Sequence, residues 1–168
     1  MKTLYLIRHA KSSWKEAHRL KDIERPLNKR GQRDAPHMGK VLANMGIQAD
    51  VLMSSPAVRA HTTAKHIAKA LDYPTDSIRI NPSIYEAGVE ELLQVVQSLE
   101  NQWDNVLLFG HNMTYTFFAN LYAQPQLANV PTCGVVAIQY PIDDWKKASN
   151  SNGEFLFFDY PKKYFPKK

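Results

Sequence analysis

Short apolar runs alternate with helix-length amphipathic segments along most of this chain, and that alternation limits the possible folds more than any other feature. Residues 4–7, 49–53, 78–80 and 106–109 read as strands, several of them ending in polar residues. Asn28 is placed to cap a helix running from Lys29 to about Met45, with Gly46 at its end and Pro36 predicting a kink or a split. In the next helix Ser55 reads as the N-cap and Pro56 as the first helical residue, with Val58, Ile67, Ala68 and Leu71 supplying much of the buried face. Residues 89–99 form an amphipathic helix with Leu92, Leu93, Val96 and Leu99 on one side. A further helix follows Gly110-His111-Asn112 and extends to about Tyr122. Two late strands, 135–140 and 154–158, are joined by a polar loop. Strands alternating with helices predict an α/β sandwich with a mostly parallel sheet, built as one domain over residues 1–168.

Several function classes drop out on composition. The longest purely apolar runs, such as Val106-Leu107-Leu108-Phe109, are four residues long, so no segment spans a bilayer as a helix. The first residues, through Arg8-His9, hold too short an apolar stretch for a signal peptide. Cys133 is the only cysteine, which rules out an internal disulfide and fits a reducing compartment. A cytoplasmic location is therefore expected, with no membrane partner. The formal net charge of +5 is uneven: residues 1–33 carry net +7, residues 34–145 net −6 and residues 146–168 net +4. Only the tail from Lys162 to Lys168 interleaves aromatics with lysines, and it reads as a solvated end, not a nucleic-acid surface. The early excess is better explained by a basic pocket for a phosphate.

Three polar clusters fall at predicted strand ends: Arg8-His9, Ser54-Ser55-Pro56 with Arg59 one turn on, and Gly110-His111-Asn112. In parallel α/β folds that rim is where ligands sit. Arg59 lies in the first turn of a helix, where a cation opposes the dipole. A bound phosphate would explain it; so would a salt bridge to a nearby carboxylate. His111 taken alone reads as a packed or capping histidine rather than a ligand. Together, two arginines, two histidines and a helix N-terminus could converge on one dianion. A neutral imidazole can attack phosphorus and carry the phosphoryl group. A metal site is the weaker alternative. His61 and His66 are five apart on one helix, the wrong spacing for a ligand pair, and two arginines would repel a cation. His18, His37, His61 and His66 are read as surface or structural, and neither metal nor cofactor is expected.

Leu6-Ile7-Arg8-His9-Ala10 resembles the first signature of the histidine phosphatase superfamily. The run from Ser54 to Ala64 resembles its Ser-Ser-Pro-x-x-Arg-Ala-x-x-Thr-Ala motif, and Gly110-His111-Asn112 its third motif. Order and spacing match over nearly the whole chain. Residues 10–14 and 22–31 look like the small SixA-type phosphohistidine phosphatase branch. The resemblance implies a phosphoglycerate mutase-like fold, a three-layer sandwich with helices on both faces. It implies His9 as a nucleophile that becomes phosphorylated, with Arg8, Arg59 and a protonated His111 holding the phosphoryl oxygens. The family often has a carboxylic general acid between its second and third motifs. Glu86 is the positional candidate, although SixA-type members can lack the acid, and an exposed loop carboxylate is the other reading. Arg25 is expected at the pocket rim or in a salt bridge with Asp22 or Glu24.

Only residues 72–105 separate the second and third motifs, so no long capping insertion is present and an open pocket is expected. The reading that follows is a metal-independent phosphatase with a phosphohistidine intermediate. Its expected partner is a phosphorylated signalling protein, such as a histidine phosphotransfer domain, or else a small phosphate ester. A small-molecule phosphomonoesterase is the alternative within the enzyme class. A non-catalytic phosphate-binding module is the alternative outside it.

Overall fold

The computed structural model describes residues 1–165. Six strands form one sheet: β1 (Lys2–Arg8), β2 (Val51–Ser54), β3 (Arg79–Ile80), β4 (Asn105–Gly110), β5 (Val135–Tyr140) and β6 (Glu154–Asp159). Their order across the sheet is β3-β2-β4-β1-β5-β6. β3, β2, β4 and β1 run parallel, β5 runs against β1, and β6 runs against β5. The mostly parallel sheet is as the sequence predicts.

The period of two along the central strands sorts side chains into two cores. Leu4, Leu6, Val106 and Leu108 face one core, shared with Leu92, Val96, Tyr115 and Phe118. Those residues come from α3 (Val89–Gln97) and α4 (Thr114–Ala119). Tyr5, Ile7, Leu107 and Phe109 face the other core, with Met38, Leu42, Ala64 and Ile67. Those come from α1 (Lys29–Asn44) and α2 (Val58–Ala70). The result is the three-layer sandwich. No helix among the described residues is long and apolar enough to cross a membrane.

α1 is capped as expected: the Asn28 side chain accepts from the Gly31 N–H at 2.9 Å. Gly46, at φ 77°, ends the helix, with its N–H bonding to Ala43 O and the Ile47 N–H to Leu42 O. Pro36 does not split α1, which runs unbroken through it. Close packing on α2 holds the helix together: a Cβ on Gly39 would lie 2.7 Å from Ala70 Cβ.

Several expectations need correction. Ser55 is not the N-cap of α2 and Pro56 is not its first residue. Ala57 occupies the cap position, without a side-chain bond, and the helix begins at Val58. Val58 points outward, and the buried face is Arg59, Ala60, Thr63, Ala64, Ile67 and Ala68. α4 is six residues long and stops at Ala119. The polar loop between β5 and β6 contains a short 3-10 turn whose Trp145 is fully buried, its indole N–H donating to Trp103 O at 2.8 Å. The tail, read as solvated, is docked as far as Phe165, which packs on His37 and under the Arg33 guanidinium. Residues 166–168 lie outside the described residues.

Candidate active site

Strand register brings the three clusters level. Arg8 on β1 pairs with Gly110 on β4, and Phe109 on β4 pairs with Ser54 on β2. From β1 the chain departs toward β2 and β3, and after β4 it crosses to β5 and β6 on the opposite side. The crevice beyond the carboxyl ends of β1 and β4 is therefore the place where such a sheet holds a ligand. A cavity of about 220 Å³ opens there, lined by Arg8, His9, Asp22, Arg59, Tyr85, Glu86, His111 and Asn112. Buried Thr63 fastens the first two clusters together: its hydroxyl accepts from the Ala10 N–H at 2.9 Å and donates to Arg59 O at 2.7 Å. Gly110 is required because its backbone lies against Tyr115, whose hydroxyl would be 2.5 Å from an added Cβ.

His9 is held in one tautomer. Its Nδ1 lies 2.7 Å from Ala10 O, and a carbonyl can only accept, so Nδ1 carries the proton. Nε2 then bears the lone pair, and no group among the described residues engages it. Burial pushes the His9 pKa down to about 3, outweighing the bond to Ala10, and His111, Arg59 and Arg8 push the same way. The ring is neutral and nucleophilic at neutral pH.

The two guanidiniums are only partly engaged by the protein. Arg8 gives one hydrogen bond, Nη1 to Val130 O at 3.0 Å. Arg59 binds Asp22 twice, Nη1 to the backbone O at 2.7 Å and Nη2 to Oδ2 at 2.9 Å. The salt bridge weighed as the alternative for Arg59 thus exists, in the cavity wall itself. Both Nε atoms are buried without a partner. Such an orphan costs about 1–3 kcal/mol, and both guanidiniums lie beside one cavity.

His111 stands beside His9, ring centroids 5.3 Å apart, and its Nε2 shares a 2.8 Å hydrogen bond with Ser55 Oγ. The Ser55 hydroxyl also accepts from the Ala57 N–H at 3.1 Å, in the turn that precedes α2. Burial, with Arg59 next, lowers the His111 pKa to about 4, against the opposing pull of Asp22. His111 is therefore neutral as it stands, and the protonated state implied by the resemblance requires the added field of a dianion.

Glu86 does reach the cavity wall, but it is exposed, has φ 62° and makes no side-chain hydrogen bond among the described residues. Arg25 does not line the cavity. It is buried behind, with its Nε on Asp22 Oδ1 at 3.2 Å, Nη1 on Ser12 Oγ at 2.9 Å, and its guanidinium 3.6 Å from the Trp14 ring centre. Asp22 and Tyr85 are the residues that sequence reasoning missed: the Tyr85 hydroxyl donates to Asp22 Oδ2 at 2.7 Å. The Asp22-to-Arg25 spacing was the only available signal. Of the remaining histidines, His66 bonds Gln32 at 3.0 Å and His37 packs on Tyr164 and Phe165.

Two buried neutral imidazoles make stability depend on pH. Unfolded, both titrate near 6.5; folded, they do so near 3 and 4. Between those values the unfolded chain binds more protons, so stability falls as pH drops from about 6.5 toward 4. Asp22 acts separately: its folded pKa is depressed, so its contribution is lost only below the ordinary carboxylate value of 3.8. Thermal melts at fixed ionic strength are expected to show Tm falling between about pH 7 and pH 5. The fall becomes shallower in a His9→Asn/His111→Asn double variant. Equal slopes in the two proteins reject this origin.

With this geometry in place, likeness to known proteins is informative. A family model described as the histidine phosphatase superfamily (branch 1) matches residues 4–92. An uncharacterized chloroplastic protein of Arabidopsis thaliana is 28% identical over 158 residues, spanning 89% of this chain and 72% of that protein. A 2,3-bisphosphoglycerate-dependent phosphoglycerate mutase of Bartonella bacilliformis is 29% identical over 92 residues, 54% of this chain and 45% of the mutase. The structure of the protein histidine phosphatase SixA complexed with tungstate superposes with a TM-score of 0.80 at 21% identity, covering 96% of this chain and 99% of that one. At that identity the likeness is one of fold.

Proposed function

The chain belongs to the histidine phosphatase superfamily, and from that premise we propose that it is a metal-independent phosphatase acting through a phosphohistidine intermediate on His9. The observation that carries the reading is the fixed His9 tautomer, with Nδ1 on Ala10 O and Nε2 free beside the Arg8 and Arg59 guanidiniums. In the first step Nε2 attacks phosphorus and the leaving group departs with the bonding pair. In the second, water attacks phosphorus and the pair returns to Nε2. Arg8 and Arg59 hold the equatorial oxygens, supplying the positive charge that phosphoryl transfer demands. His111 adds a third donor once the dianion raises its pKa. A non-catalytic phosphate-binding module fits less well, because binding alone needs no anchored nucleophile.

The substrate we propose is phosphohistidine on a signalling protein. The fold likeness to SixA supports it. So does the surface beside the cavity, where Met113, Phe117 and Leu121 lie four residues apart, all exposed, beginning next to Asn112. An apolar ridge of that kind suits a protein surface better than a small ester. The single buried Cys133 fits a reducing compartment such as the cytoplasm. The competing reading is a small phosphomonoester, favoured by the similarity to a phosphoglycerate mutase over part of the chain.

Glu86 discriminates the two. An alkoxide leaving group needs a proton in the transition state, and a general acid contributes roughly a hundred- to ten-thousandfold. Imidazole is a far weaker base and needs none if its other nitrogen is already protonated. The expected result is that kcat/KM on a phosphohistidine protein exceeds that on alkyl phosphates. Glu86→Gln should barely alter the former while the residual ester activity falls steeply. A wild type faster on an alkyl phosphate, with that activity abolished by Glu86→Gln, establishes the phosphomonoesterase instead.

A further inference from the structure

Asp22 is a carboxylate in the wall of an anion site, an arrangement that works against binding phosphate unless the carboxylate has a task. It is half exposed and lines the cavity with Arg8, His9 and Arg59. Its geometry is over-determined. Oδ2 accepts from the Tyr85 hydroxyl at 2.7 Å and from Arg59 Nη2 at 2.9 Å, while Oδ1 accepts from Arg25 Nε at 3.2 Å. Arg25 is fixed in turn by Ser12, the Ser13 carbonyl and the Trp14 ring. Three donors leave about one of the four lone-pair positions of a carboxylate open, on Oδ1.

Asp22 cannot be a proton donor. Partial burial works toward protonation, but the hydrogen bonds from Tyr85 and Arg59, the charge of Arg59 and the bond from Arg25 outweigh it. The carboxyl is held well below the usual carboxylate range. A permanently ionised, rigid acceptor at the mouth of a phosphoryl site suits a leaving group that arrives carrying an N–H and a positive charge.

We infer that Asp22 is a specificity determinant, its Oδ1 accepting the ring N–H of the substrate's phosphorylated imidazole, so that the site favours phosphorus–nitrogen over phosphorus–oxygen bonds. The inference rests on the proposed phosphohistidine reading and deepens it. The step balances without an acid. The substrate ring enters protonated on the nitrogen that does not bear phosphorus. His9 Nε2 attacks, the P–N pair moves onto the substrate ring, and a neutral imidazole departs with its N–H still on Asp22. The phosphoryl group now sits on His9, whose Nδ1–H rests on Ala10 O in the corresponding way. An ester leaving group has no N–H to give and develops negative charge toward Asp22, so the same carboxylate repels it. Glu86, the other carboxylate of the wall, has no partner among the described residues to fix it and cannot play this part.

The test compares kcat/KM of the wild type with Asp22→Asn and Asp22→Ala on a phosphohistidine peptide and on p-nitrophenyl phosphate, whose leaving group needs no proton. Both variants weaken the hold on Arg59, so some loss on both substrates is expected. The loss on the phosphohistidine peptide should exceed the loss on the aryl phosphate by roughly ten- to a hundredfold, as for a charge-assisted hydrogen bond. Equal losses on both substrates overturn the inference and leave Asp22 as a support for Arg59. No loss on phosphohistidine overturns it as well. A wild type that hydrolyses the aryl phosphate but not phosphohistidine overturns the substrate reading itself. That failure is visible before any variant is made.

Discussion

His9→Ala is expected to remove turnover on every phosphate substrate, a loss on the order of a millionfold when a hydrolase loses its nucleophile, and to leave the fold intact. The wild-type enzyme, quenched during turnover of a labelled substrate, should carry label that is lost in acid and retained in base, as a phosphoramidate requires. The competing nucleophiles near the site are disabled by the structure. Cys133 is fully buried, and burial, with Asp34 adding to it, pushes its thiol far above the range where thiolate forms. The Ser54 hydroxyl is buried and donates to Ser55 O at 2.8 Å. Ser55 is fully buried as well, so the hydroxyl it shares with His111 and the Ala57 N–H is out of reach of substrate. His9→Ala loses one bond to the Ala10 carbonyl, worth about 1 kcal/mol net, and relieves a buried group that resists charging in acid. Label recovered on Ser54, Ser55 or Cys133, or substantial turnover by His9→Ala, contradicts the mechanism.

The parts of this site that could be read from sequence are those encoded locally. Arg8-His9, Ser54-Ser55-Pro56 and Gly110-His111-Asn112 each end a strand, and apolar periodicity marks strand ends well. Parallel pairing then levels those ends with no further information. Partnerships across elements were not legible. Asp22 reaches Arg59 across 37 positions and Tyr85 across 63, and nothing in local spacing specifies either contact. Ser55 shows the same limit from the other side. Its sequence context is that of a helix cap, yet its hydroxyl is shared between the Ala57 N–H and a histidine 56 positions away, and α2 begins only at Val58. Trp145 was hidden in the polar run Asp143-Asp144-Trp145-Lys146-Lys147, where a single aromatic among charges carries no periodic signal. It is tertiary packing on the α3–α4 core that buries it.

Arg59→Ala separates a catalytic cation from a structural one, a distinction the Asp22 ion pair makes necessary. If Arg59 serves the transferring phosphoryl group, kcat/KM should fall by roughly a thousandfold or more, the scale seen when a transition-state arginine is lost. Stability should move little, because opposing terms nearly cancel. Arg59 is the second residue of α2, whose first turn holds no acidic residue, so its charge opposes the dipole at a cost of about 0.3–1 kcal/mol. Against this, the substitution removes two hydrogen bonds to the turn at Asp22. The Asp22 carboxylate is half exposed and keeps Arg25 and Tyr85, so it returns to water and its other partners, not to an unpaired burial. That places the lost pair nearer the surface value of about 0–1 kcal/mol than the several kcal/mol of a broken buried pair. A net change of about 1 kcal/mol shifts Tm by about 2–4 °C in a chain of this size. Arg59→Lys sharpens the test, since it keeps the charge and loses the planar fork. Activity intermediate between wild type and Arg59→Ala, with all three melting within a few degrees, identifies Arg59 as a ligand of the phosphoryl group. A large fall in Tm for Arg59→Ala, with activity per folded molecule preserved at low temperature, assigns it instead to holding the Asp22 turn against α2.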